Sequence, residues 1–293
     1  MKAKSLTLCA LLLMAGAVIF TACTGSITVR SKEFRDSEKW GKVVTRTLDL
    51  DQIEALELWA PVDIQIMQSD TFRVELEGNE RAIEQYDFAV GCDSTENQTV
   101  PTLVVGWKTM EGTDQIPAIR MRIYTPSVSS ILAMGEGDID MLDDFDQDGD
   151  LTLHSNGSGD IDIYNLTARK VDIKLEGAGD LSFHSLEAED LKTKISGSGD
   201  LYVREADIDG DATLKVEGAG DVEGEFKADN VEAISEGSGD VKIEVKCDEV
   251  RALSKGSGNV AIEGEAHTLR TSKKVFGTVT TKRLKAENVD LDL

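Results

Sequence analysis

Positive charge is what this chain has least of. Its 293 residues carry 31 Lys and Arg against 55 Asp and Glu, a formal net charge of −24. A surface that acidic repels phosphate backbones and bare anionic lipid, which excludes nucleic acid as a partner; it suits solubility or divalent cations. Long apolar runs are equally scarce, and the one candidate, Leu6 to Phe20, is short for a membrane span. The three histidines, His154, His184 and His267, are scattered; no serine sits in a nucleophile elbow, and no metal-ligand cluster stands out. The named roles of a catalytic site are left unfilled. Cysteine is thin as well, at 4 residues, and there are 4 prolines and 5% aromatics.

What the chain has instead is glycine, 26 residues of it, and much of it recurs in one motif. Between residues 135 and 259 the pattern Gly-x-Gly followed by an acid or its amide appears seven times. The copies begin at Gly135, Gly157, Gly177, Gly197, Gly218, Gly237 and Gly256, spaced 22, 20, 20, 21, 19 and 19 residues apart. The second glycine and the acid of the central copies are Gly159-Asp160, Gly179-Asp180, Gly199-Asp200, Gly220-Asp221 and Gly239-Asp240. A fixed period of about twenty is the mark of a repeat protein.

Two expectations follow for the turns. A bend made within three residues calls for positive φ, which glycine adopts without steric cost. If the turns also stack at one strand spacing, roughly 4.8 Å, a bulky residue between the glycines would meet its own copies. The residue between them is Ser or Ala in six of the seven turns; the first copy has Glu136 there, which implies no earlier turn beneath it.

Between the turns the sequence alternates. Leu181, Phe183, Leu186, Ala188, Leu191, Thr193 and Ile195 are apolar or small, and the neighbouring repeat gives Ile161, Ile163, Leu166, Ala168, Val171, Ile173 and Leu175 in the same register. A period of two is strand, and the step of three after the second inward residue marks a corner between two short strands per coil. One coil cannot bury a single apolar row alone, so the coils must stack. The fold expected is an all-β helix or solenoid of about 20-residue coils.

Residues 1–22 carry Lys2 and Lys4, the apolar run and Thr21-Ala22 before Cys23, the layout of a secretory signal. Phe20-Thr21-Ala22-Cys23 resembles a bacterial lipobox with Phe in place of the usual aliphatic, which makes Cys23 the candidate lipidated residue. Thr24 is not the aspartate of inner-membrane retention, and the segment after it is not acidic. The resemblance therefore implies the outer membrane and leaves open which face. Losing residues 1–22 takes away two lysines and no acids, moving the charge from −24 to −26. Residues 23–40 read as a lipidated tether. Residues 41–133 alternate without the glycine motif and hold Trp40's neighbours Trp59 and Trp107, which suggests a bulkier core in irregular coils of the same solenoid or in a cap; residues 134–293 are the regular repeats.

Val279, Thr281, Leu284, Ala286, Val289, Leu291 and Leu293 continue the inward row nineteen residues after Val260, an eighth coil of whose turn only Gly277 survives. A terminal coil of this kind presents a strand edge, either guarded by Lys282, Arg283, Lys285, Asp290 and Asp292 or used in self-association. Of the remaining cysteines, Cys247 aligns with Ala188 and Ala168 as a small inward residue; a buried thiol is expected, with a Cys92–Cys247 disulfide as the alternative in an oxidising compartment.

The column Asp138, Asp160, Asp180, Asp200, Asp221 and Asp240, ending in Asn259, is the chemistry to weigh. Carboxylates stacked about 4.8 Å apart repel by roughly 1 kcal/mol or more, and something must offset this. The structural reading is that each accepts hydrogen bonds from amides of its own or an adjacent turn, a job Asn259 does uncharged. The sharper reading is calcium held between coils by Asp160, Asp180, Asp200, Asp221 and Asp240, although one four-residue motif per coil is not the nonapeptide of calcium-binding repeats. An enzyme acting on acidic polysaccharide would need a cationic cluster, and Arg169, Arg204, Arg251, Arg270 and Arg283 form none; Tyr164 and Tyr202 lie two coils apart, thin for sugar stacking.

The run of Gly-Ser-Gly-Asp and Gly-Ala-Gly-Asp turns, with Pro61-Val62-Asp63-Ile64-Gln65-Ile66 upstream and Ile123-Tyr124-Thr125-Pro126 before the first repeat, resembles the auto-transporter adhesin head GIN domain family of bacterial envelope proteins. The resemblance covers about residues 43–293. It implies a right-handed β-helix shaped like pectate lyases without their catalytic residues, with no cofactor, and adhesion to an envelope or host-surface glycan or protein. The alternatives are a purely structural envelope lipoprotein and a polysaccharide-processing enzyme.

Overall fold

The computed structural model describes residues 34–93, 100–108, 116–273 and 277–292. The signal segment, Cys23 and the start of the tether lie outside them. Strands are β1 (Val43–Leu48), β2 (Ala55–Leu58), β3 (Val62–Gln68) and β4 (Arg73–Asn79); a single helical turn α1 (Glu80–Ile83) follows, then β5 (Tyr86–Asp93), β6 (Val100–Trp107), β7 (Ile119–Thr125), β8 (Ser130–Ala133) and β9 (Ile139–Asp146). The regular part comprises β10 (Leu151–Ser155), β11 (Ile161–Leu175), β12 (Leu181–Ile195), β13 (Leu201–Ile208), β14 (Asp211–Val216), β15 (Val222–Ser235), β16 (Val241–Ser254), β17 (Val260–Lys273) and β18 (Val279–Asp292). Together they form one β-solenoid of about 8 turns.

Parallel pairing repeats from coil to coil. One row runs Ile139, Ile161, Leu181, Leu201, Val222, Val241, Val260 and Val279, each in register with the next. From Ile139 to Val260 these residues are at most 1% exposed. Burying one such side chain stabilises by about 1.5–3 kcal/mol, and only a neighbouring coil can provide the cover, which is why the register is so uniform. The seven inward residues named for β11 and for β12 are all buried.

The β11 and β12 coils have three runs where two strands were expected, whereas the β15–β16 and β16–β17 ladders break once, at Asp229, Asp248 and His267. The β11–β12 ladder proceeds unshifted from Ile161↔Leu181 to Leu175↔Ile195 but skips Tyr164 and Arg169. The inward row steps by three at both places, from Ile163 to Leu166 and from Ala168 to Val171, so each of these two coils bends twice between its glycine turns.

In the amino-terminal part the order in space departs from the order in the chain. Strand β2 pairs in parallel with β6 on one side and β8 on the other, and β3 likewise lies between β7 and β9. The β2–β3 coil is thus clamped between two coils that come later. Beyond them the pairing turns antiparallel, β4 on β7, β1 on β4 and β5 on β6, which closes that end of the solenoid. Among the described residues of this part, parallel and antiparallel pairings therefore occur side by side. Two of the tryptophans are not its core: Trp59 and Trp107 are 51% and 54% exposed, while Trp40 packs partly buried against it.

The described end of the expected tether is folded against this part. Ser37 and Gly41 bridge each other, the Asn79 amide donates to the carbonyls of Arg35 (2.9 Å) and Gly41 (3.0 Å), and the Arg120 guanidinium lies over the Phe34 ring at 5.2 Å. At the opposite end β18 pairs with β17 alone among the described residues.

Candidate functional site

The glycine turns stack as the repeat demands, but the reason for glycine is space rather than φ. Among the described residues positive φ occurs at Gly41 and Gly264, and at none of the motif glycines. A Cβ on Gly179 would lie 2.0 Å from the carbonyl oxygen of Gly159, and one on Gly159 would lie 2.0 Å from that of Gly137. The same approach, 1.9–2.2 Å, recurs at Gly157, Gly177, Gly197, Gly199, Gly218, Gly220, Gly237 and Gly239. The first copy is no exception, since Gly137 sits over Val62 and Gly135 over Ala60; Glu136 does have a coil beneath it, supplied by the β2–β3 turn.

The aspartate column is a ladder of hydrogen bonds between coils. Asp160 Oδ1 accepts the backbone N–H of Asp180 (3.0 Å), Asp180 that of Asp200 (2.8 Å), Asp200 that of Asp221 (2.8 Å), Asp221 that of Asp240 (2.7 Å) and Asp240 that of Asn259 (2.7 Å). Asp138 starts it by accepting from Asp160, and Asn259 Oδ1 ends it on Thr278, whose hydroxyl also donates to it at 2.5 Å. The carboxylates that should repel are thus each tied to the amide of the next aspartate. Burial still raises the Asp180 carboxyl above its ordinary value, and the Asp200 amide works against that shift. Among the described residues no group of three or more His, Cys, Asp or Glu could hold a metal ion.

A second acidic pair lies two residues along the chain from the first column, beyond the inward Ile139 and Ile161. Asp140 and Asp162 are adjacent in register, and the Ser182 hydroxyl donates to Asp162 Oδ1 at 2.5 Å. Partial burial, then the neighbouring Asp162 and Asp138, push Asp140 up to about 6. Asp162 is raised for the same first reason, with the Ser182 bond opposing it.

The arginines that form no cluster in sequence form none in space, because nearly every one reaches a carboxylate a coil away: Arg169 to Asp150 (2.8 Å), Arg251 to Glu232 (2.9 Å), Arg270 to Glu249 (3.1 Å) and Arg283 to Glu263 (3.1 Å). Exposed pairs of this kind contribute about 0–1 kcal/mol each. His154 reaches Glu176 at 3.0 Å and His267 reaches Glu287 at 2.9 Å. His184 stacks on Tyr164, centroids 4.6 Å apart, and bonds Arg204 at 2.9 Å. This Tyr164, His184, Arg204 column was not foreseen, since it forms at the corner residues that drop out of the alternating pattern.

One surface is concave. At the second corner of coils β13 to β18 an open groove of ≈ 710 Å³ runs along the solenoid. Its floor is small side chains in register, Ala228, Cys247, Ala266 and Ala286. Lys227, Lys246 and Lys285 line one wall, where Lys227 meets Asp207 (2.6 Å) and Lys285 meets Glu265 (2.8 Å). The opposite wall carries Asp229, Asp248 and Glu287. Cys247 is a free thiol, only half-buried, and not half of a disulfide; desolvation, with Asp248 and Glu249 close by, pushes it up to about 12.

Parallel coils around an apolar interior, bends set by stacked glycines and outward side chains in columns define a β-solenoid. The chain belongs to the family described as putative auto-transporter adhesin, head GIN domain, whose model matches residues 53–224 and 213–293. Among solved structures it is similar to a putative adhesin from Bacteroides fragilis, with 21% identity and a TM-score of 0.58 over 82% of this chain and 97% of that one. It is also similar to a putative lipid binding protein from Parabacteroides distasonis, with 13% identity and a TM-score of 0.58 over 84% and 96% of the two chains. A putative adhesin from Parabacteroides merdae gives 15% identity and a TM-score of 0.50 over 86% and 97%. At these identities the likeness is one of fold. No curated protein matches.

Proposed function

We propose that the chain is a non-enzymatic adhesion module of the bacterial cell envelope, secreted by residues 1–22, lipidated at Cys23 and held at the outer membrane. The observation that carries the binding role is the groove across β13 to β18, where a wall of Lys227, Lys246 and Lys285 interspersed with Asp207 and Glu265 faces an acidic wall over a floor of small residues. Opposed walls of this kind suit an extended glycan or polypeptide laid along the solenoid axis, contacting each coil in turn. Family membership supports adhesion as the role.

Cells displaying the chain, compared with cells displaying the Lys227→Glu/Lys246→Glu variant, test the groove. Loss of attachment to a glycan- or protein-coated surface at equal display supports the assignment; undiminished attachment removes it. Protease shaving of intact cells tests the location. Resistance to shaving would make the chain an internal structural lipoprotein instead. Metabolic labelling with palmitate, lost in Cys23→Ala, tests the anchor.

A further inference from the structure

The two ends of the solenoid are unlike. The end nearest residue 34 is closed by antiparallel β4, β1 and β5. The other is a 14-residue strand, β18, paired on one side among the described residues. Its interior row is uncovered: Val289 is 57% exposed, whereas Leu269 directly beneath it is 4% exposed. Val279, Leu284 and Ala286 are only partly buried.

The sequence alternation of β18 places its inward row at 279, 281, 284, 286, 289 and 291. These positions are symmetric about Lys285. A copy rotated by two-fold symmetry about Lys285 would run antiparallel, so inward residues meet inward residues: Leu284 meets Ala286 and Thr281 meets Val289, with Val279 opposite position 291. The bends coincide too. In this register Arg283 lies opposite Glu287, twice by symmetry. The cost is Lys285 facing its own copy, each already bonded to Glu265 of its own chain.

We propose that β18 is a homophilic docking edge, on which a second copy of this chain pairs antiparallel about Lys285 to give a two-fold, end-to-end dimer. The capped opposite end does not repeat the β18 pattern, so association closes at two copies rather than growing into filaments. Residue 34 of each copy then lies toward a far pole of the dimer. If the envelope reading above holds, the partners come from facing surfaces and the contact joins one cell to another; dimerisation itself does not depend on that reading.

The test is sedimentation of the Cys23→Ala chain, which has no acyl group to drive association, across a wide concentration range. A monomer–dimer equilibrium that saturates at two copies is expected. Arg283→Glu, which sets acid against acid, should weaken it at least tenfold, and Arg283→Glu/Glu287→Arg should restore it. Lys285→Cys should crosslink to itself under mild oxidation, while Lys282→Cys should not. A strict monomer at every concentration, assembly beyond two, or a dimer indifferent to Arg283→Glu would overturn the proposal. Retained circular dichroism in each variant separates loss of association from loss of fold. Failure of surface shaving with an intact dimer would count against the envelope reading alone.

Discussion

Asp180 Oδ1 accepts the backbone N–H of Asp200 from the next coil at 2.8 Å. The bond needs an acceptor and not a charge, as Asn259 demonstrates by doing the same for Thr278. Asp180→Asn should therefore stay within about 0.5 kcal/mol of the parent, while Asp180→Ala should lose about 1–2 kcal/mol by orphaning the Asp200 amide. Urea unfolding of the three proteins measures both, and equal losses for the two variants would contradict the ladder.

Millimolar calcium or chelator should leave the melting curve unchanged. The inward-facing carboxylate oxygens of the column are committed to amides, and no metal-holding cluster occurs among the described residues. A rise in melting temperature on adding calcium would show that the outer oxygens hold the ion.

Gly179→Ala should be among the most damaging single-methyl changes in the chain. Its Cβ would lie 2.0 Å from a backbone carbonyl that cannot swing away, an overpacking expected to cost about 2 kcal/mol or more. The neighbouring Ala178 is exposed, and Ala178→Ser should be close to neutral. Thermal melts of the pair measure the cost of crowding at the turn, and a Gly179→Ala melt equal to the parent's would contradict it.

Asp140 gives a pH signature of definite sign. Its folded value, about 6, stands above the ordinary 3.8, so the fold favours the protonated acid. That contribution is complete below about pH 4 and is lost as pH rises through 6, up to roughly 3 kcal/mol for a shift of this size. Asp140→Asn should match the parent near pH 4 and exceed it at pH 7. A stability difference independent of pH would place the titration elsewhere.

Cys247 should react slowly with iodoacetamide at pH 8 in the folded protein and readily in urea, because its thiol is held up near 12 and partly covered. Fast alkylation of the native chain would mean that the groove floor opens.

The regular coils were readable because stacking repeats one physical demand every twenty residues, and Ile161, Leu181 and Leu201 declare it by period alone. Space and dihedral strain, however, select the same residue. Gly159 looks identical in sequence whether it is glycine for its φ or for the carbonyl 2.0 Å away. The second bend at Arg169 was equally present as a step of three, and only the skipped pair in the ladder makes it a corner. Trp59 and Trp107 were misplaced because an aromatic in an alternating segment reads as core, whereas both sit at strand ends. The groove has no linear signature: its walls are single residues nineteen or twenty apart, joined only when the coils stack.

The clamped position of β2–β3 sets a schedule for assembly. A polypeptide emerging amino terminus first presents residues 55–68 early, yet their two flanking partners span residues 100–146. That region stays incomplete until nearly half of the protein has emerged, while each later winding can settle directly onto its predecessor. In amino-to-carboxyl order the β2–β3 region accordingly closes once residue 146 is available, and the glycine-punctuated coils add to it afterwards, up to β18.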